Sequence, residues 1–249
     1  MPCPCCVPGR PMAELRRNDL AIYDAAAARW WSDPPRWVRA LRNLVPARLA
    51  WFDRFVAWPG RRVLDLGCAG GFMAEALDQR GAIVTGIDPA RAAVTAAHAH
   101  AAQHGRAIAY AVARGEALPF ASASVDVVVC VDVLEHVDDL GRVLAETARV
   151  LRPDGLLLFD TINRNLLARL VTITLAEDIL RLLPRGTHDP ARFIRPSELR
   201  AALRAAGLTP GPFTGLGPRG LDRHGDITFG RLPGSAILYM GTARRVRCA

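Results

Sequence analysis

Short apolar runs alternate with longer mixed runs through the middle of the chain. The short runs are apolar throughout, which is typical of strands covered on both faces of a sheet. Helical runs of about 10–15 residues separate them, so the alternation predicts an α/β fold with a doubly wound, Rossmann-like parallel sheet. The predicted strands are Arg62–Leu66, Ala82–Ile87, Ile108–Val112, Val125–Val131 and Leu156–Thr161. The predicted helices between them are Gly71–Arg80, Ala90–His104 and Leu140–Leu151.

A tryptophan-rich helical segment precedes the first strand and is expected to form an N-terminal cap over residues 13–60. Its first predicted helix, Leu20–Trp31, ends before two prolines, because proline disfavours helix in the residue ahead of it. A second helix is predicted over Pro46–Val56. The tryptophans either pack in the core or form a lid over a ligand. Residues 1–12 are expected to be a disordered leader.

The pattern changes after the fifth strand, where residues 61–249 are expected to continue as one domain with a helical insertion at about 164–199. A helix that is apolar nearly all round is predicted over Leu166–Leu183. It is either a buried helix or a surface that touches lipid or an oily substrate. Ser197 is expected to cap the next helix. A glycine- and proline-rich tail then leads to a last predicted strand, Ala236–Ala243.

The composition limits the kinds of partner that the protein is expected to bind and the cellular compartment in which it is expected to reside. The formal net charge is +8, but all 32 basic residues are arginine and they are scattered, so no nucleic-acid partner is expected. The six cysteines show no spaced pair of the kind that binds zinc, which favours reduced thiols in a cytoplasmic protein. No signal-peptide pattern and no long uncharged apolar run occurs.

The candidate chemistry begins at the turn after the first strand. Gly67 and Gly70 form a tight turn into a helix, where backbone N–H groups can approach a ligand. Asp88 closes the next strand and is placed to accept hydrogen bonds from ribose hydroxyls. Asp65, just before the turn, could hold a cationic group or polarise the turn. A cationic ligand with a ribose suggests S-adenosylmethionine.

A second loop completes this predicted cofactor site. It follows the third strand, where an adenine ring would lie, and its backbone near Glu116 and Ala117 could contact the edge of the ring. The glycine turn alone is a moderate signal, because several nucleotide-binding folds share it. The combination of turn, acid and loop favours S-adenosylmethionine.

Longer motifs resemble known enzymes. The runs V-L-D-L-G-C-A-G-G, G-I-D, E-A-L-P-F and D-V-L-E-H-V resemble class I S-adenosylmethionine-dependent methyltransferases. The runs T-I-N-R-N and L-R-L-L-P-R-G-T-H-D-P-A-R-F-I-R-P-S-E-L resemble the ubiquinone-biosynthesis O-methyltransferase family. The resemblance covers about residues 20–243. It implies methylation of phenol or catechol hydroxyls on polyprenyl intermediates.

The resemblance also assigns residues to the cofactor. It implies that Arg48 binds the carboxylate of S-adenosylmethionine and that Gly67, Asp88 and Val131 make further contacts. The chain departs from the family's usual pattern at Ala69, where the family has glycine.

The best candidate for catalysis is the segment after the fourth strand. His136 could take the proton of a phenol, and Glu135 beside it is a further catalytic candidate. Alternatively, Asp132, Glu135 and His136 could together hold a divalent metal. The resemblance implies a magnesium-type site here, with Asp132 in place of a glutamate. His188 is a second candidate for substrate contact or proton transfer; the alternative for these residues is that they merely line the cleft or close a loop.

The leading hypothesis is an O-methyltransferase of quinone synthesis acting on a lipophilic phenol or catechol. The alternatives are a methyltransferase of another phenolic or lipid acceptor, and a non-catalytic cofactor-binding subunit of a membrane biosynthetic complex. Arginines around the apolar helix predict peripheral association with an anionic membrane, on the inner face of the cell membrane. They are Arg164, Arg169, Arg181 and Arg185.

Overall fold

A computed structural model describes residues 18–179 and 182–246. The predicted leader, Arg181 and four of the cysteines lie outside these residues. An eight-stranded sheet forms the centre of the molecule, in the order β3-β2-β1-β4-β5-β8-β6-β7. Its strands are β1 Arg62–Leu66, β2 Ile83–Asp88, β3 Ala109–Val112, β4 Val125–Cys130, β5 Leu151–Ile162, β6 Leu208–Leu221, β7 Ile227–Leu232 and β8 Leu238–Arg245.

Strands β1 to β5 pair in parallel, as the apolar runs predict, and β8 runs antiparallel between β5 and β6. The helices are α1 Ala21–Ala26, α2 Arg36–Phe52, α3 Phe72–Asp78, α4 Arg91–Gln103, α5 Leu140–Val150, α6 Leu166–Arg169 and α7 Pro196–Ala205. In the sheet, β2 and β4 lie on opposite sides of β1, so the strand order reverses direction next to β1. In open α/β sheets a ligand binds at such a point, outside the carboxyl ends of the strands.

Successive residues of the central strands face two separate cores. Val63 packs with α2 and α3, whereas its neighbour Leu64 packs with α5 and α7. In β4, Val127 likewise belongs to the first core and its neighbour Val128 to the second. Because both faces of the sheet are covered, apolar residues are favoured at successive positions of these strands, which explains the predominantly apolar runs.

Helix α2 differs from the prediction at its start. It begins at Arg36, after Pro35, and Pro46 lies inside it rather than at its first turn. Proline removes one backbone hydrogen bond from a helix. The neighbours Leu44, Val45 and Ala47 are all buried, so tertiary packing holds the helix through this position.

The structure of the second half of the chain differs more from the sequence-based prediction than that of the first half. The predicted helix Leu166–Leu183 is one α-helical turn, α6, followed by a π-helix over Leu170–Ile179. Helix α7 is capped at Arg195 rather than Ser197, and the side chain of Glu198 accepts the N–H of Arg195 at 3.1 Å.

The glycine- and proline-rich tail forms a hairpin of β6 and β7 that the sequence did not predict. Pro210 and Pro218 lie in β6 at two points where its pairing register shifts. Proline is tolerated at such irregularities, because it has no N–H to donate to the ladder. No helix among the described residues is long and apolar enough to cross a membrane.

Candidate active site

The glycine turn after β1 is held by hydrogen bonds to the end of β2. The N–H groups of Gly67 and Cys68 both donate to the carbonyl of Ile87, at 2.8 and 3.0 Å. Gly67 has φ +81°, and a Cβ there would lie 2.1 Å from Cγ2 of Val133. Glycine is therefore required at 67 both for the backbone conformation and for the close approach of the loop after β4.

Gly70 lies against two tryptophans of the N-terminal cap. Its carbonyl accepts the indole N–H of Trp31 at 2.9 Å. A Cβ at Gly70 would lie 2.2 Å from ring atoms of Trp30, which is only 2% exposed. Trp30 also lines the cavity beside the turn, so it is both a core residue and part of the cover of the site.

Asp88 connects the turn to the next helix. Its Oδ2 accepts the N–H of Ala69 at 2.9 Å, and its Oδ1 accepts that of Ala90 at 2.8 Å. Burial raises the pKa of Asp88, and these two N–H groups oppose the rise. Since a carboxylate oxygen can accept two hydrogen bonds, Asp88 can also accept hydroxyl groups from a ligand.

Asp65 is fully buried at the end of β1. Among the described residues, neither of its carboxylate oxygens has a hydrogen-bond partner. Burial, and then the charge of Asp88, raises the pKa of Asp65 to about 7, while the backbone N–H of Ala74 and the charge of Arg48 offset part of the rise. An unpartnered buried carboxyl is costly unless it is protonated or meets a cationic group.

Arg48 reaches from α2 into the site and meets two acids. Its guanidinium lies 2.6 Å from Asp132 and 2.5 Å from Asp160, and its side chain is 2% exposed. Burial opposes the charge of Arg48, but the two acids raise its pKa above the ordinary value. Burial raises the pKa of Asp160 to about 7 despite the arginine.

The loop after β4 carries the predicted catalytic residues. Asp132 has φ +54°, and its N–H donates to Oδ1 of Asp160 at 2.8 Å, which fixes the start of the loop on β5. Glu135 is buried and accepts the hydroxyl of Thr161 at 2.8 Å. Burial, followed by the charges of Asp132 and Asp160, raises the pKa of Glu135 to about 8.

His136 and His188 come together although the sequence separates them widely. Their rings stack with centroids 5.2 Å apart. Nδ1 of His188 lies 2.7 Å from Oε1 of Glu177, a buried acid of the π-helix. Burial, and then His188, lowers the pKa of His136 to about 3, so its ring is neutral at physiological pH.

One cavity of about 320 Å³ adjoins these groups. Among the described residues, five predicted site residues do not line it. Four of them are adjacent in sequence to a residue that does, namely Asp65, Gly70, Ala117 and Glu135. The fifth, His188, contacts the lining residue His136 through its ring. The predicted residues that line it are Arg48, Gly67, Asp88, Glu116, Val131, Asp132 and His136.

Comparison with known proteins decides the family. The family model described as a methyltransferase domain matches residues 64–159. The ubiquinone biosynthesis O-methyltransferase of Pseudomonas fluorescens is 42% identical over 214 residues, which cover 86% of this chain and 92% of that protein. The enzyme of the same name from Thiobacillus denitrificans is 40% identical over 206 residues, covering 82% and 88%.

The chain belongs to the ubiquinone biosynthesis O-methyltransferase family. It is an S-adenosylmethionine-dependent O-methyltransferase with the class I fold, as its motifs predict. A solved S-adenosylmethionine-dependent methyltransferase from Thermotoga maritima superposes with a TM-score of 0.62 at 20% identity, covering 90% of this chain and 98% of that one. One from Methanosarcina mazei gives 0.61 at 20% identity, covering 79% and 97%.

The cavity of the methyltransferase fits its cofactor. Arg48 is a buried cation suited to a carboxylate, and Asp88 stands where ribose hydroxyls can donate to it. Glu116 lines the cavity; its carbonyl accepts Nε of Arg142 at 2.8 Å and its side chain accepts the N–H of Asp138 at 3.2 Å. These bonds fix the loop at which an adenine ring is expected.

The candidate metal ligands of the methyltransferase are arranged differently from the predicted set. Glu135, His136 and His188 each offer one ligand atom, and these three atoms lie within 4.8 Å of one another. The carboxylate of Asp132 instead pairs with Arg48. The predicted trio of Asp132, Glu135 and His136 therefore shares two members with the cluster in the structure.

Several residues of the site were not found by sequence reasoning. Asp160 neutralises Arg48, Glu177 holds His188, and Tyr23 lines the cavity from α1. Asn18 bonds to His136 from the N-terminal segment. Glu177 had one detectable signal, because it is an acid within a predicted helix that is otherwise apolar over most of its length. The others depend on contacts between distant parts of the chain.

Proposed function

We propose that this methyltransferase acts on a phenol or catechol hydroxyl of a polyprenyl quinone precursor, the chemistry to which the names of its curated relatives point. The observation that carries the proposal is the neutral, buried imidazole of His136 on the wall of the cavity that Arg48 and Asp88 also line. S-adenosylmethionine would supply an electrophilic methyl group on a positively charged sulfur, and as the acceptor oxygen bonds to the methyl carbon the carbon–sulfur bond would break and S-adenosylhomocysteine would leave as a neutral thioether.

His136 acts as the base. A phenol has an ordinary pKa of about 10, so it holds its proton at neutral pH. That proton becomes strongly acidic only as the new carbon–oxygen bond forms. A neutral imidazole can accept it at that moment. The low pKa of His136 makes the ring a weaker base than an ordinary histidine, so its contribution depends on being held in contact with the hydroxyl. His136 therefore has to be neutral and correctly oriented rather than strongly basic.

His188 helps to form the part of the site that would receive the methyl-accepting substrate. Its Nδ1 faces Oε1 of Glu177, which also accepts its backbone N–H at 3.1 Å, and Oε2 of Glu177 accepts the N–H of Gly186 at 2.9 Å. These bonds fix both the loop and the ring. The ring is thereby held in its stacked position against the ring of His136.

A divalent metal is the alternative to base catalysis by His136, because the one lone pair of a neutral imidazole cannot bind an ion and accept the proton of the hydroxyl at the same time. The residues that would hold it are Glu135, His136 and His188. Two imidazoles and one carboxylate suit manganese, iron or zinc better than magnesium, which prefers oxygen ligands. An ion at these residues would lower the pKa of a catechol hydroxyl.

We also propose that the protein associates peripherally with an anionic bilayer, where a polyprenyl substrate would reside. Helix α6 and the π-helix expose five large apolar side chains in one short segment. Arg169 lies exposed within it, which suits an anionic surface; Arg185 follows closely and is paired with Asp178 at 2.9 Å. The exposed apolar side chains are Leu166, Leu167, Leu170, Leu175 and Ile179.

The test is turnover of labelled S-adenosylmethionine on short-chain demethylated quinol and catechol analogues. His136→Ala should lower kcat by about 100-fold or more, the usual contribution of a general base, while calorimetry shows unchanged cofactor binding. His98→Ala is the matched control, because His98 is exposed on α4. An unchanged rate in the His136 variant, or no transfer to any phenol, would overturn the proposal.

The same assay tests the metal. Protein treated with a chelator is assayed alone and after addition of magnesium, manganese, iron or zinc. Recovery with manganese, iron or zinc rather than magnesium would support the imidazole-containing site. Full activity in the presence of chelator would show that His136 works without an ion.

A further inference from the structure

Asn18 connects the N-terminal segment to the proposed active site. It lies 118 positions before His136, yet two hydrogen bonds join the two residues. Nδ2 of Asn18 donates to the backbone carbonyl of His136 at 3.0 Å, and Oδ1 lies 2.6 Å from Nδ1 of the ring. The N–H of Asp19 donates to the carbonyl of Gly186 at 3.2 Å, so the segment is also tied to the loop of His188.

These bonds determine which ring nitrogen carries the proton. A backbone carbonyl can only accept, so the amide nitrogen of Asn18 must face it and the amide oxygen must face the ring. The amide oxygen is also only an acceptor, and Nδ1 of His136 must therefore carry a hydrogen. In a neutral imidazole the lone pair then belongs to Nε2.

Nε2 of His136 is the atom left for chemistry. It is buried and has no hydrogen-bond partner among the described residues. The groups that face the ring and its loop are His188, stacked at 5.2 Å, the carboxylate of Asp132, and Arg192, which donates to the carbonyl of His136 at 3.4 Å.

We propose that Asn18 is a positioning residue, which holds His136 in the Nδ1–H tautomer and so presents the Nε2 lone pair to the acceptor hydroxyl. The inference rests on the proposed role of His136. Ligation of a metal by Nε2 would require the same tautomer, because the second nitrogen of a metal-bound imidazole usually donates to a fixed acceptor. A neutral amide suits this task, since it accepts from the ring and donates to the carbonyl at the same time.

Two variants of Asn18 separate positioning from simple anchoring. Asn18→Ala removes both bonds and should lower kcat by about 10–100-fold, the usual cost of losing a residue that orients an active-site imidazole, with little change in cofactor binding. Asn18→Asp keeps an oxygen facing Nδ1 but loses the donor to the carbonyl, so it should recover most of the rate. If Asn18 only anchors the loop, the aspartate variant should be as slow as the alanine variant, which would overturn the proposal.

Asn43→Ala is the matched control, because Asn43 also donates its side-chain N–H to a distant backbone carbonyl, that of Ile227 at 3.1 Å, but does not line the cavity. Its kcat should equal that of the unaltered enzyme. An equal loss of rate in this control would show that the Asn18 effect is unspecific.

Nitrogen-15 spectra of histidine-labelled protein read the tautomer directly, with His136→Gln providing the assignment. The unaltered protein should show Nδ1–H at His136, and Asn18→Ala should shift the population towards Nε2–H. An unchanged tautomer in that variant would overturn the proposal. This measurement needs no acceptor, so it still decides the role of Asn18 if no phenol is methylated and the proposed function fails.

Discussion

The guanidinium of Arg48 lies 2.6 Å from the carboxylate of Asp132, within the same buried group that includes Asp160. The arginine comes from the N-terminal cap, and Asp132 opens the loop that carries Glu135 and His136. A single cation therefore stabilises both the cap and the start of the candidate catalytic loop, and it is also the group expected to meet the carboxylate of the cofactor.

Replacing this arginine should affect stability and cofactor binding together. Arg48→Met leaves the buried Asp160 and the partly buried Asp132 without their cation, and removal of one partner from a buried ion pair costs about 3–5 kcal/mol. Urea unfolding should show a loss of this order, and calorimetry should show weaker binding of S-adenosylmethionine. Arg152→Met is the control, because Arg152 pairs with Asp126 at the surface, where a pair contributes about 0–1 kcal/mol. Equal stability of the two variants would contradict the expectation.

Asp65 should make the unliganded protein less stable as the pH rises. Its pKa is about 7 in the folded protein and 3.8 ordinarily, so between about pH 4 and pH 7 the folded state keeps a proton that the unfolded chain has lost. The free energy of unfolding therefore falls with pH across that window, by at most about 1.4 kcal/mol per pH unit for this group. Asp65→Asn should remove that contribution, measured as the difference between variant and unaltered protein in urea unfolding at several pH values.

Asp126→Asn provides a control, because the pKa of Asp126 is shifted in the opposite direction to that of Asp65. Burial opposes the charge of Asp126, but the N–H of Arg62 and the guanidinium of Arg152 outweigh it and lower its pKa. Its contribution to stability is present above its ordinary pKa and is lost only as the pH falls through the lowered value. The difference between this variant and the unaltered protein should therefore be flat between about pH 5 and pH 7. A flat difference for Asp65→Asn as well would refute the raised pKa.

The parallel half of the sheet and the cofactor turn could be predicted because their signals are local. The runs around Leu64 and Val128 have apolar residues on both faces, Gly67 directly follows β1, and Asp88 closes β2. The hairpin of β6 and β7 could not, because its glycines and prolines disfavour strands by local propensity. Pairing of β6 with β8 on one side and β7 on the other outweighs that preference.

The candidate catalytic residues were predicted, but their partners were not. The motif around His136 identified the loop after β4, whereas the contacts with Asn18 and His188 arise only when distant segments meet. The prediction of one apolar helix over Leu166–Leu183 was wrong in detail, since the π-helix turns Glu177 inward onto His188. Hydrophobic periodicity alone does not reveal a buried acid with its own partner.

Ala69 should be a site at which glycine improves stability. It has φ +43°, a conformation that L-residues rarely adopt, while its N–H donates to Asp88. Ala69→Gly should raise the free energy of unfolding by up to about 1 kcal/mol, because the relief of strain exceeds the added freedom of the unfolded chain. Ala99→Gly, on the exposed face of α4, should instead lose about 1 kcal/mol. A loss of stability in both variants would mean that the turn holds Ala69 without strain.

The apolar segment after β5 should determine membrane binding. Leu166, Leu170 and Ile179 are 84%, 57% and 64% exposed, an unusual exposure for three large apolar side chains within fourteen positions. Each would contribute about 1.5–3 kcal/mol if it were fully buried in an acyl layer. Replacing the three with serine should abolish flotation with vesicles that contain phosphatidylglycerol, while activity on short-chain acceptors remains.

A matched variant separates this segment from general surface hydrophobicity. Ile83 and Leu221 are 59% and 67% exposed on other parts of the surface, and serine at both should leave flotation unchanged. The unaltered protein should bind phosphatidylglycerol vesicles more strongly than phosphatidylcholine vesicles, and added salt should weaken that preference, because Arg169 and Arg185 would contribute through screened charge. If neither type of vesicle carries the unaltered protein, or if the serine variant floats equally well, the exposed leucines do not form a membrane surface.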